Sequence, residues 1–557
     1  MAERSQELLA KLADLQGAGL LSDDVVAQAK AKVLSGAQAS TASKRKASGP
    51  PGSKKYVLTI DEGTTSSRCI LFDHHGDPAF TSQKEFTQIY PQPGWCEHDP
   101  KEILDVVKST MAEVLMKADA TKEDIAAIGI TNQRETTVAW HSETGKPLAN
   151  AIVWLDLRTA DIVERLIKVE GKDRFRAATG LPVATYFSAV KMRWLIENNA
   201  EVKKAVDAGT CRFGTIDSWL TYNLTGGCDG GIFVTDVSNA ARYMLMDLST
   251  TQWSREVCKE LGIPMACLPA IRSNSEVLGE VAHGPLQGVP ITCSLGDQHA
   301  ALLGQACLKV GDVKSTYGTG CFILMNTGEK PITSKAGLLT TVGWKLGADK
   351  PTIYALEGSV AVAGRGIQWL RDNLKLIHAA PQVGPLAAEV KDSGGVTFVP
   401  AFSGLFAPHW RSDARAIICG MTLHTNFAHI ARAILEGIAF QACDVISAME
   451  SDAATQLGSV KVDGGMTMSN QAMQIQADLL GKPLFRARMP EATALGCAFA
   501  AGLAVGFWHD PEHIHALLEA GGGAVRFDAE MTEEGRERAH LRWHDAVKRS
   551  LNLASFA

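Results

Sequence analysis

The sequence lacks any cysteine pair at the spacing C-x-x-C, and its twelve cysteines are scattered along 557 residues. This pattern argues against a zinc site or a disulfide framework and favours reduced thiols in a cytosol-like compartment. No apolar run reaches the length of a membrane span, and the first residues, Met1–Arg4, have no secretory pattern. We therefore expect a cytoplasmic protein with no integral membrane segment.

Neither common nucleotide-binding loop is present: there is no G-x-x-x-x-G-K-[ST], and no G-x-G-x-x-G follows a predicted strand. The net charge of −6 indicates no polyanion-binding surface, so no nucleic-acid partner is expected. Hydrophobic residues make up 46% and charged residues 21%, which is ordinary for a soluble globular protein. The length exceeds that of one hydrophobic core and predicts two large domains with additional segments.

A polar turn between two apolar segments is the most informative stretch of the chain. Tyr56–Ile60 and Cys69–Phe72 predict buried strands, and Asp61–Arg68 (DEGTTSSR) lies between them. Glycine lets backbone N–H groups approach an anion, the hydroxyls add donors, and Arg68 adds a cation. Asp61 supplies a hard oxygen ligand of the kind that Mg²⁺ accepts. The stretch predicts a phosphate-binding hairpin with a metal carboxylate; an ordinary polar hairpin is the alternative.

Composition and periodicity divide the chain into four segments. Residues 1–36 carry apolar residues at helical spacing and predict a helical hairpin, with a marginal helical tail as the alternative. Residues 37–55 are rich in Ala, Ser, Thr, Gly and Pro and predict a flexible linker. Its basic triplet Lys44–Lys46 fits a nuclear address, but a solvated linker charge is favoured. The two large domains are assigned to residues 56–305 and 306–557.

The second half repeats the strand and glycine-turn pattern of the first. Val313–Tyr317 and Cys321–Met325 predict strands on either side of Gly318-Thr319-Gly320. A further strand runs from Val460 into a glycine turn, and a helix is expected from about Ser469 to Leu480. Backbone amides at such turns suit an anion or the edge of a nucleotide base. The pattern predicts an α/β fold with a mixed sheet in each half.

Seven motifs occur in order along the chain: Asp61–Arg68, Tyr90–Trp95, Asn132–Glu135, Gly214–Leu220, Gly296–Gln298, Ser315–Phe322 and Glu357–Gly358. Together they resemble the glycerol kinases, a branch of the FGGY carbohydrate kinases within the superfamily of actin, sugar kinases and heat-shock chaperone ATPases. The resemblance extends from about Tyr56 to about Lys548. It implies two actin-like (ribonuclease H-like) α/β domains, with mixed sheets flanking an ATP cleft.

The resemblance also implies a reaction, in which ATP phosphorylates a terminal hydroxyl of glycerol to give sn-glycerol 3-phosphate and ADP. Arg134 and Glu135 would orient the triol, and Asp297 would be the general base. The other side chains implied for the glycerol pocket are Gln298, Trp154, Tyr186 and Phe322. From the residues alone, Asp297 also fits a helix cap, because it follows Gly296 and opens an apolar helix.

ATP and Mg²⁺ are expected between the two domains. Asp61 would hold Mg²⁺ through water. The residues implied for the nucleotide are Thr64, Thr65, Ser66 and Arg68 of the first domain and Thr319, Gly364, Gln368, Gly465, Ser469 and Asn470 of the second. Glu62 stands where these enzymes usually have Gln and is expected to add negative charge beside the phosphates; Ser469 stands where they usually have Asn. We also expect a homo-oligomer, a dimer or a tetramer.

There are three alternatives to this interpretation: a kinase for a pentulose or another polyol, a chaperone-like ATPase module, and a kinase fold without activity. The loop Asn132–Glu135 argues against the first, because sugar-specific relatives resemble one another around a different sequence there. Arg134, Glu135 and Asp297 argue against the second, since such a module needs no triol pocket. The third is not supported, because every expected catalytic residue type is present.

Overall fold

The computed structural model describes residues 54–487, 489, 491–520 and 523–554. The described residues all lie within one compact unit, which begins at Lys54. The predicted helical hairpin (1–36), and the predicted linker (37–55) apart from its last two residues, therefore lie outside the described residues.

The first of two large sheets consists of β1 (Tyr56–Glu62), β2 (Ser66–Phe72), β3 (Pro78–Glu85), β4 (Ile125–Asn132), β5 (Gly279–Glu280) and β6 (Pro290–Gly296). Its spatial order is β5-β6-β4-β1-β2-β3. Strands β1, β4 and β6 are parallel, whereas β2, β3 and β5 pair antiparallel with their neighbours. The three parallel strands end at the same edge, where Glu62 and Gly296 both lie in register with Asn132.

The second large sheet consists of β7 (Val313–Tyr317), β8 (Cys321–Gly328), β9 (Leu339–Trp344), β10 (Ile353–Val360), β11 (Val460–Asp463), β12 (Leu484–Arg486) and β13 (Val525–Phe527). Its order is β9-β10-β8-β7-β11-β12-β13, with β7, β11 and β12 parallel. In both sheets a run of adjacent antiparallel strands continues, on the far side of its first strand, into two parallel strands. The predicted mixed sheet in each half is therefore confirmed.

Helices connect the strands and cover the sheets. They are α1 (Pro100–Ala118), α2 (Ala160–Glu170), α3 (Arg176–Thr179), α4 (Ser188–Asn198), α5 (Ala200–Asp207), α6 (Ile216–Leu224), α7 (Val237–Ala240), α8 (Arg255–Glu260), α9 (Asp297–Gly304), α10 (Gly364–Asp372), α11 (Val383–Ala387), α12 (Phe427–Ala453), α13 (Asn470–Leu480), α14 (Ala492–Ala504), α15 (Pro511–Ala520) and α16 (Glu533–Arg549). Helix α1 is capped by Asp99, whose side chain accepts from the amide of Lys101 at 2.8 Å, and Pro100 opens the helix.

Smaller elements complete the described chain. Short strands pair as Glu97–His98 with Ala151–Ile152, Val138–His141 with Cys211–Gly214, Val234–Asp236 with Ala270–Arg272, Met246–Asp247 with Gln252–Trp253, and Thr397–Val399 with Ile417–Cys419. Turns of 3₁₀ helix lie at Lys122–Asp124, Met265–Cys267, Ala380–Gln382 and Gly465–Met468. Within the described residues, no helix combines the length and apolar character needed to cross a membrane.

Helix α14 follows the parallel strands of the second sheet in sequence but packs against β1, β4 and β6 of the first. It crosses α9 at two glycines. A Cβ on Gly496 would lie 1.9 Å from the carbonyl oxygen of Ala300, and one on Gly304 would lie 1.9 Å from that of Ala492. Only glycine allows the two backbones to approach so closely. The predicted boundary between residues 305 and 306 stays a prediction, since α14 returns to the first sheet.

Candidate active site

The segments that follow the parallel strands of the first sheet carry the predicted substrate residues. Arg134 follows β4, and Asp297 follows β6. Asp297 is the first residue of α9, and its Oδ1 accepts from the amide of Gln298 at 2.6 Å. The interpretation of Asp297 as the cap is wrong, because the cap position belongs to Gly296. A carboxylate in the first helical turn is nonetheless favoured by the partial positive charge of the helix N-terminus.

Five charged side chains form one network at this edge. Arg134 donates from Nη1 and Nη2 to the two oxygens of Glu357, at 2.7 and 3.0 Å, and its Nε lies 3.2 Å from Oδ1 of Asp297. Arg242 donates from Nε to Oε1 of Glu135 at 2.5 Å and from both terminal nitrogens to Glu357 at 3.3 Å. Each cation is thus in contact with two carboxylates, which compensates its removal from water.

Exposure distinguishes Asp297 from the rest of this network. The side chains of Arg134, Glu135, Arg242 and Glu357 are at most 2% exposed, whereas that of Asp297 is 29% exposed. Burial raises the pKa of Asp297, against the opposing effect of Arg134. Burial alone would also raise the pKa of Glu357, but Arg134 and Arg242 hold it at about 2. Asp297 is therefore the most exposed carboxylate of the network.

The backbone of Glu135 is held in an unusual conformation. Its φ of 61° lies in the left-handed region, which costs a residue with a side chain roughly 1–3 kcal/mol. Its carbonyl oxygen accepts from the hydroxyls of Thr137 and Ser188, each at 3.0 Å. Burial raises the pKa of its carboxyl group, while Arg242 and then Arg134 oppose that rise. Neighbouring residues thus hold both the backbone carbonyl group and the side-chain carboxyl group of Glu135.

Sequence reasoning missed Arg242, Lys314 and the role of Glu357. Arg242 had a usable signal, since it is the one charged residue between positions 237 and 246. Glu357 was part of a recognised motif without an assigned role, and Lys314 is the charged residue of strand β7. Their partners are distant in sequence, so no local pattern identifies them.

Lys314 connects the second sheet to the helix that begins at Asp297. Its side chain is buried, and Nζ donates to Oε1 of Gln298, to the hydroxyl of Thr316 at 2.8 Å and to the carbonyl oxygen of Phe322 at 3.3 Å. Burial lowers the pKa of Lys314. Lys314 occupies the amide oxygen of Gln298, so the NH₂ group is the part of this side chain that can donate, and it already interacts with Asp297.

The three predicted aromatic residues come together beside the network. The ring centroids of Trp154 and Tyr186 are 5.7 Å apart and those of Trp154 and Phe322 are 6.3 Å apart, both in edge-to-face geometry. Trp154 also donates from Nε1 to the hydroxyl oxygen of Thr64 at 3.0 Å. The guanidinium carbon of Arg242 lies 5.4 Å from the Tyr186 ring centre. Trp154 thus links the aromatic cluster to the predicted phosphate turn.

That turn joins β1 to β2, as predicted. The amide of Gly63 donates to the carbonyl oxygen of Ser66 at 3.0 Å. Side-chain amides hold two of its carbonyls: Gln133 donates to Gly63 at 2.9 Å and Gln88 to Thr64 at 3.0 Å. Among the described residues, the amides of Thr64 and Thr65 have no hydrogen-bond partner. Two adjacent, unpaired N–H groups form the kind of concave donor site that binds anions.

Asp61 and Arg68 face each other across this hairpin. They are paired in register, and Nη2 of Arg68 lies 2.5 Å from Oδ2 of Asp61. Arg68 is 33% exposed and Asp61 only 6%. Ser66 accepts from Nε2 of Gln83 at 2.8 Å. The second carboxylate oxygen of Asp61 has no partner among the described residues, which fits a role as an oxygen ligand of Mg²⁺, directly or through water.

The expected negative charge of Glu62 beside the phosphates stays a prediction, and the burial of its side chain opposes it. Its side chain is fully buried, and Oε2 accepts from the hydroxyl of Ser67. Burial raises the pKa of Glu62 well above its ordinary value, because no cation compensates the charged form. A protonated carboxyl group both donates and accepts, as a Gln side chain also does through its NH₂ group and its carbonyl oxygen.

The turns of the second sheet lie side by side at the ends of β7 and β11. The carbonyl oxygen of Thr319 accepts from the amides of Ala363 and Arg365 at 3.0 Å each, and Gly364 donates to Gly318 at 3.0 Å. The start of α10 therefore rests on the Gly318–Gly320 turn. A Cβ on Gly464 would lie 2.4 Å from the carbonyl oxygen of Tyr317, which brings the second glycine turn against the first.

The remaining predicted nucleotide residues surround these turns. Gly465 has open space where a Cβ would point, and Gln368 is exposed on α10. Ser469 caps α13 by accepting from the amide of Ala472 at 3.2 Å. Asn470 accepts from Nη1 of Arg486 at 2.9 Å. Ser469 and Asn470 thus already have protein partners.

Residues 56–304 match the model of the FGGY family of carbohydrate kinases, N-terminal domain, and residues 313–505 match that of its C-terminal domain. Glycerol kinase from Acidiphilium cryptum is 52% identical over 496 residues, which cover 89% of this chain and 99% of the relative. Glycerol kinase from Rhizorhabdus wittichii is 51% identical over 497 residues, covering 89% of this chain and 97% of the relative.

Solved structures agree with these relatives. The crystal structure of Plasmodium falciparum glycerol kinase with ADP superposes with a TM-score of 0.85 at 40% identity, covering 90% of this chain and 99% of that one. Gluconate kinase from Lactobacillus acidophilus superposes with a TM-score of 0.79 at 23% identity, covering 91% of this chain and 100% of that one, and shares the fold. The predicted actin-like sugar-kinase fold is confirmed. The chain belongs to the FGGY family of carbohydrate kinases and, within it, to the glycerol kinases.

Proposed function

We propose that this chain transfers the γ-phosphoryl group of ATP to a terminal hydroxyl of glycerol, giving sn-glycerol 3-phosphate and ADP. The observation that carries the proposal is the partly exposed carboxylate of Asp297 in a network of otherwise buried charges. An accessible carboxylate can activate a hydroxyl of a small polyol. The fixed cations and the aromatic side chains beside it suit the other hydroxyls and the carbon chain of such a substrate.

Asp297 acts as the general base in this proposal. It takes the proton from the attacking hydroxyl as that oxygen bonds to the γ-phosphorus, and the bond from the γ-phosphorus to the bridging oxygen of ADP breaks. Burial raises the pKa of Asp297 and so makes it a stronger proton acceptor, while Arg134, at 3.2 Å, opposes that rise. Positioning and charge neutralisation supply most of the remaining rate enhancement in phosphoryl transfer.

Glycerol is held by complementary polar and apolar groups. The cation of Arg134, the carboxylate of Glu135 and the NH₂ group of Gln298 suit vicinal hydroxyls, which both donate and accept. Trp154 and Phe322 suit the hydrocarbon edge of the triol. Since the buried network fixes the charged groups before the substrate arrives, little free energy is lost in ordering them.

The triphosphate is bound by the two glycine turns. The unpaired amides of Thr64 and Thr65, the hydroxyl of Ser66 and the cation of Arg68 suit phosphate oxygens on one side, and Thr319 does so on the other. Trp154 donates to the Thr64 oxygen, which leaves the Thr64 hydroxyl hydrogen for an acceptor. When bound, Mg²⁺ neutralises charge on the phosphates, and Asp61 is the residue that would hold it.

A coupled assay of ADP release tests the proposal with glycerol, dihydroxyacetone, xylulose and gluconate. We expect kcat/KM for glycerol to exceed that for xylulose and gluconate by roughly 10²-fold or more, because the pocket pairs with a small triol. A preference for xylulose or gluconate would favour the polyol-kinase alternative. Equal ADP release with and without every polyol would favour the ATPase alternative.

Two further expectations stay predictions. A homo-oligomer is tested by light scattering of the eluting full-length protein, where a mass near that of one chain contradicts it. A cytoplasmic location is tested by fractionating the cells that produce the protein.

A further inference from the structure

We propose that Asp444, His540 and His544 form a binding site for one divalent transition-metal ion of the zinc type. The site lies on α12 and α16, whereas the candidate active site is built from other elements. Among the described residues, these three form the one group of at least three metal-ligating side chains with ligand atoms within 4.8 Å of one another.

The distances fit tetrahedral coordination. Nε2 of His544 lies 3.2 Å from Oδ1 of Asp444. Two ligand atoms at about 2.0–2.2 Å from a tetrahedral zinc ion lie about 3.3–3.5 Å from each other. His540 and His544 are four residues apart on α16 and so occupy the same face of the helix. The ion therefore replaces the proton shared by His544 and Asp444 with little movement of either side chain.

Surrounding groups orient the proposed ligands. Oδ2 of Asp444 accepts from the indole Nε1 of Trp543 at 2.8 Å and lies 2.9 Å from Nε2 of His409, which leaves Oδ1 to face His544. Nε2 of His540 lies 2.9 Å from the carbonyl oxygen of Leu479, to which it donates. With Nε2 in that hydrogen bond, Nδ1 is the nitrogen of His540 left to bind an ion. Metal-binding histidines in proteins commonly donate their second nitrogen in this way.

The chemistry of the set selects the ion. Two imidazoles and one carboxylate suit Zn²⁺ and its neighbours, whereas Mg²⁺ prefers oxygen ligands and retains its waters. Asp444 is 8% exposed, which limits competition from solvent, and His544 is 51% exposed, which gives the ion a path of entry. Water completes the coordination. The bound ion ties α16 to the middle of α12.

A second histidine pair provides a matched control. The rings of His509 and His513, also four residues apart, stack with centroids 5.5 Å apart. Within the described residues, no third ligand-bearing side chain joins them in a group of this kind. If the site depends on the carboxylate of Asp444, substituting His540 and His544 should abolish metal binding. Substituting His509 and His513, which have no such carboxylate partner among the described residues, should leave it intact.

The experiment is calorimetric titration of the chelator-stripped, full-length protein with ZnCl₂, and separately with MgCl₂. We expect one tight zinc site per chain, which MgCl₂ does not compete for. His540→Asn/His544→Asn should lose this site, and His409→Gln should weaken it by about 10–100-fold, the usual effect of removing a supporting hydrogen bond. His509→Asn/His513→Asn should bind as the unaltered chain does.

Thermal unfolding supplies a second readout on the same proteins. Zinc should raise the Tm of the unaltered chain and of His509→Asn/His513→Asn, but not that of His540→Asn/His544→Asn. Tight zinc binding that survives in His540→Asn/His544→Asn, or that is absent from the unaltered chain, would overturn the proposal. Loss of binding in the His509→Asn/His513→Asn control would overturn it as well.

Discussion

The carboxyl group of Glu62 is enclosed behind the phosphate turn and bonded to Ser67. Because it is buried without a cation, its pKa is raised, and burial favours the uncharged form, which would add no charge to the turn. We therefore expect Glu62→Gln to leave KM for ATP and for glycerol within about twofold of the original values. Steady-state kinetics at neutral pH check this, and a marked fall in KM for ATP would mean that Glu62 is ionised and faces the phosphates.

Arg134 depends on its planar fork rather than on its charge alone. Lysine would keep the charge but lose the paired contacts with Glu357 and the contact with Asp297. Leaving a buried charged partner unpaired costs roughly 1–3 kcal/mol or more, so Arg134→Lys should raise KM for glycerol by about tenfold. Nucleotide binding, measured by titration, should persist.

A surface arginine controls for the substitution itself. Arg165 forms an exposed ion pair with Glu197, and Arg165→Lys should leave both constants unchanged. Normal glycerol kinetics in Arg134→Lys would show that Arg134 lies outside the glycerol pocket.

At this scale the residue types of the site were predictable, but their partners were not. Motifs that resemble a known family identified Arg134, Glu135 and Asp297. The contact between Arg134 and Glu357 joins residues 223 positions apart, and it depends on how the second sheet meets the first. The raised pKa of Glu62 likewise comes from burial, which a turn rich in hydroxyls does not reveal. The partners of the site residues therefore follow from long-range packing, which local sequence patterns do not reveal.

The helix that begins at Asp297 owes its position to packing against α14. Gly496→Ala would place a Cβ within 1.9 Å of the carbonyl oxygen of Ala300 and push the two helices apart. Such overpacking costs about 1–3 kcal/mol or more, so we expect a lower Tm together with a lower kcat. Scanning calorimetry and kinetics on the same preparation measure both quantities.

A glycine in another helix provides the control. Gly535→Ala, in the first turn of α16, meets only a side-chain oxygen of Thr532 at 3.1 Å and atoms of Met531. It should leave kcat unchanged. A Gly496→Ala protein with unaltered kcat and Tm would show that the crossing of α9 and α14 tolerates a methyl group.

Most elements near the site could be predicted from local patterns, and their pairing could not. Strand β7 has the predicted bounds Val313–Tyr317, and β1 and β2 extend the predicted strands by two or three residues toward the turn. Runs of buried apolar residues and turn chemistry determine such features. The return of α14 to the first sheet has no local signal, because its small, apolar residues would fit the core of either sheet.

On the scale of the whole molecule, the match to the family begins after the N-terminal segment, to which no role is assigned. The family models begin at residue 56, and the relatives align over 97–99% of their own length while covering 89% of this chain. We expect a protein lacking residues 1–53 to retain kcat and both KM values within about twofold. Kinetics and light scattering of the shortened protein test this, and loss of activity in a folded, monodisperse preparation would contradict it.

The two sheets meet at the candidate site. Arg134 and Gln298, which follow strands of the first sheet, contact Glu357 and Lys314 in strands of the second. A substrate bound there touches side chains from both halves of the described chain. We therefore expect that substituting one side chain at this site can remove its contribution to catalysis without changing the fold.

Asp297→Asn tests the central claim most directly, because asparagine keeps the shape of the side chain but cannot accept the proton. On one purified preparation we would measure steady-state turnover with glycerol and titrate ATP binding. The account predicts that turnover falls by roughly 10²–10⁴-fold, the usual contribution of a general base, while ATP binds as before. Near-normal turnover in a folded Asp297→Asn protein would contradict the account and move the base to another carboxylate, of which Asp61 is the first candidate.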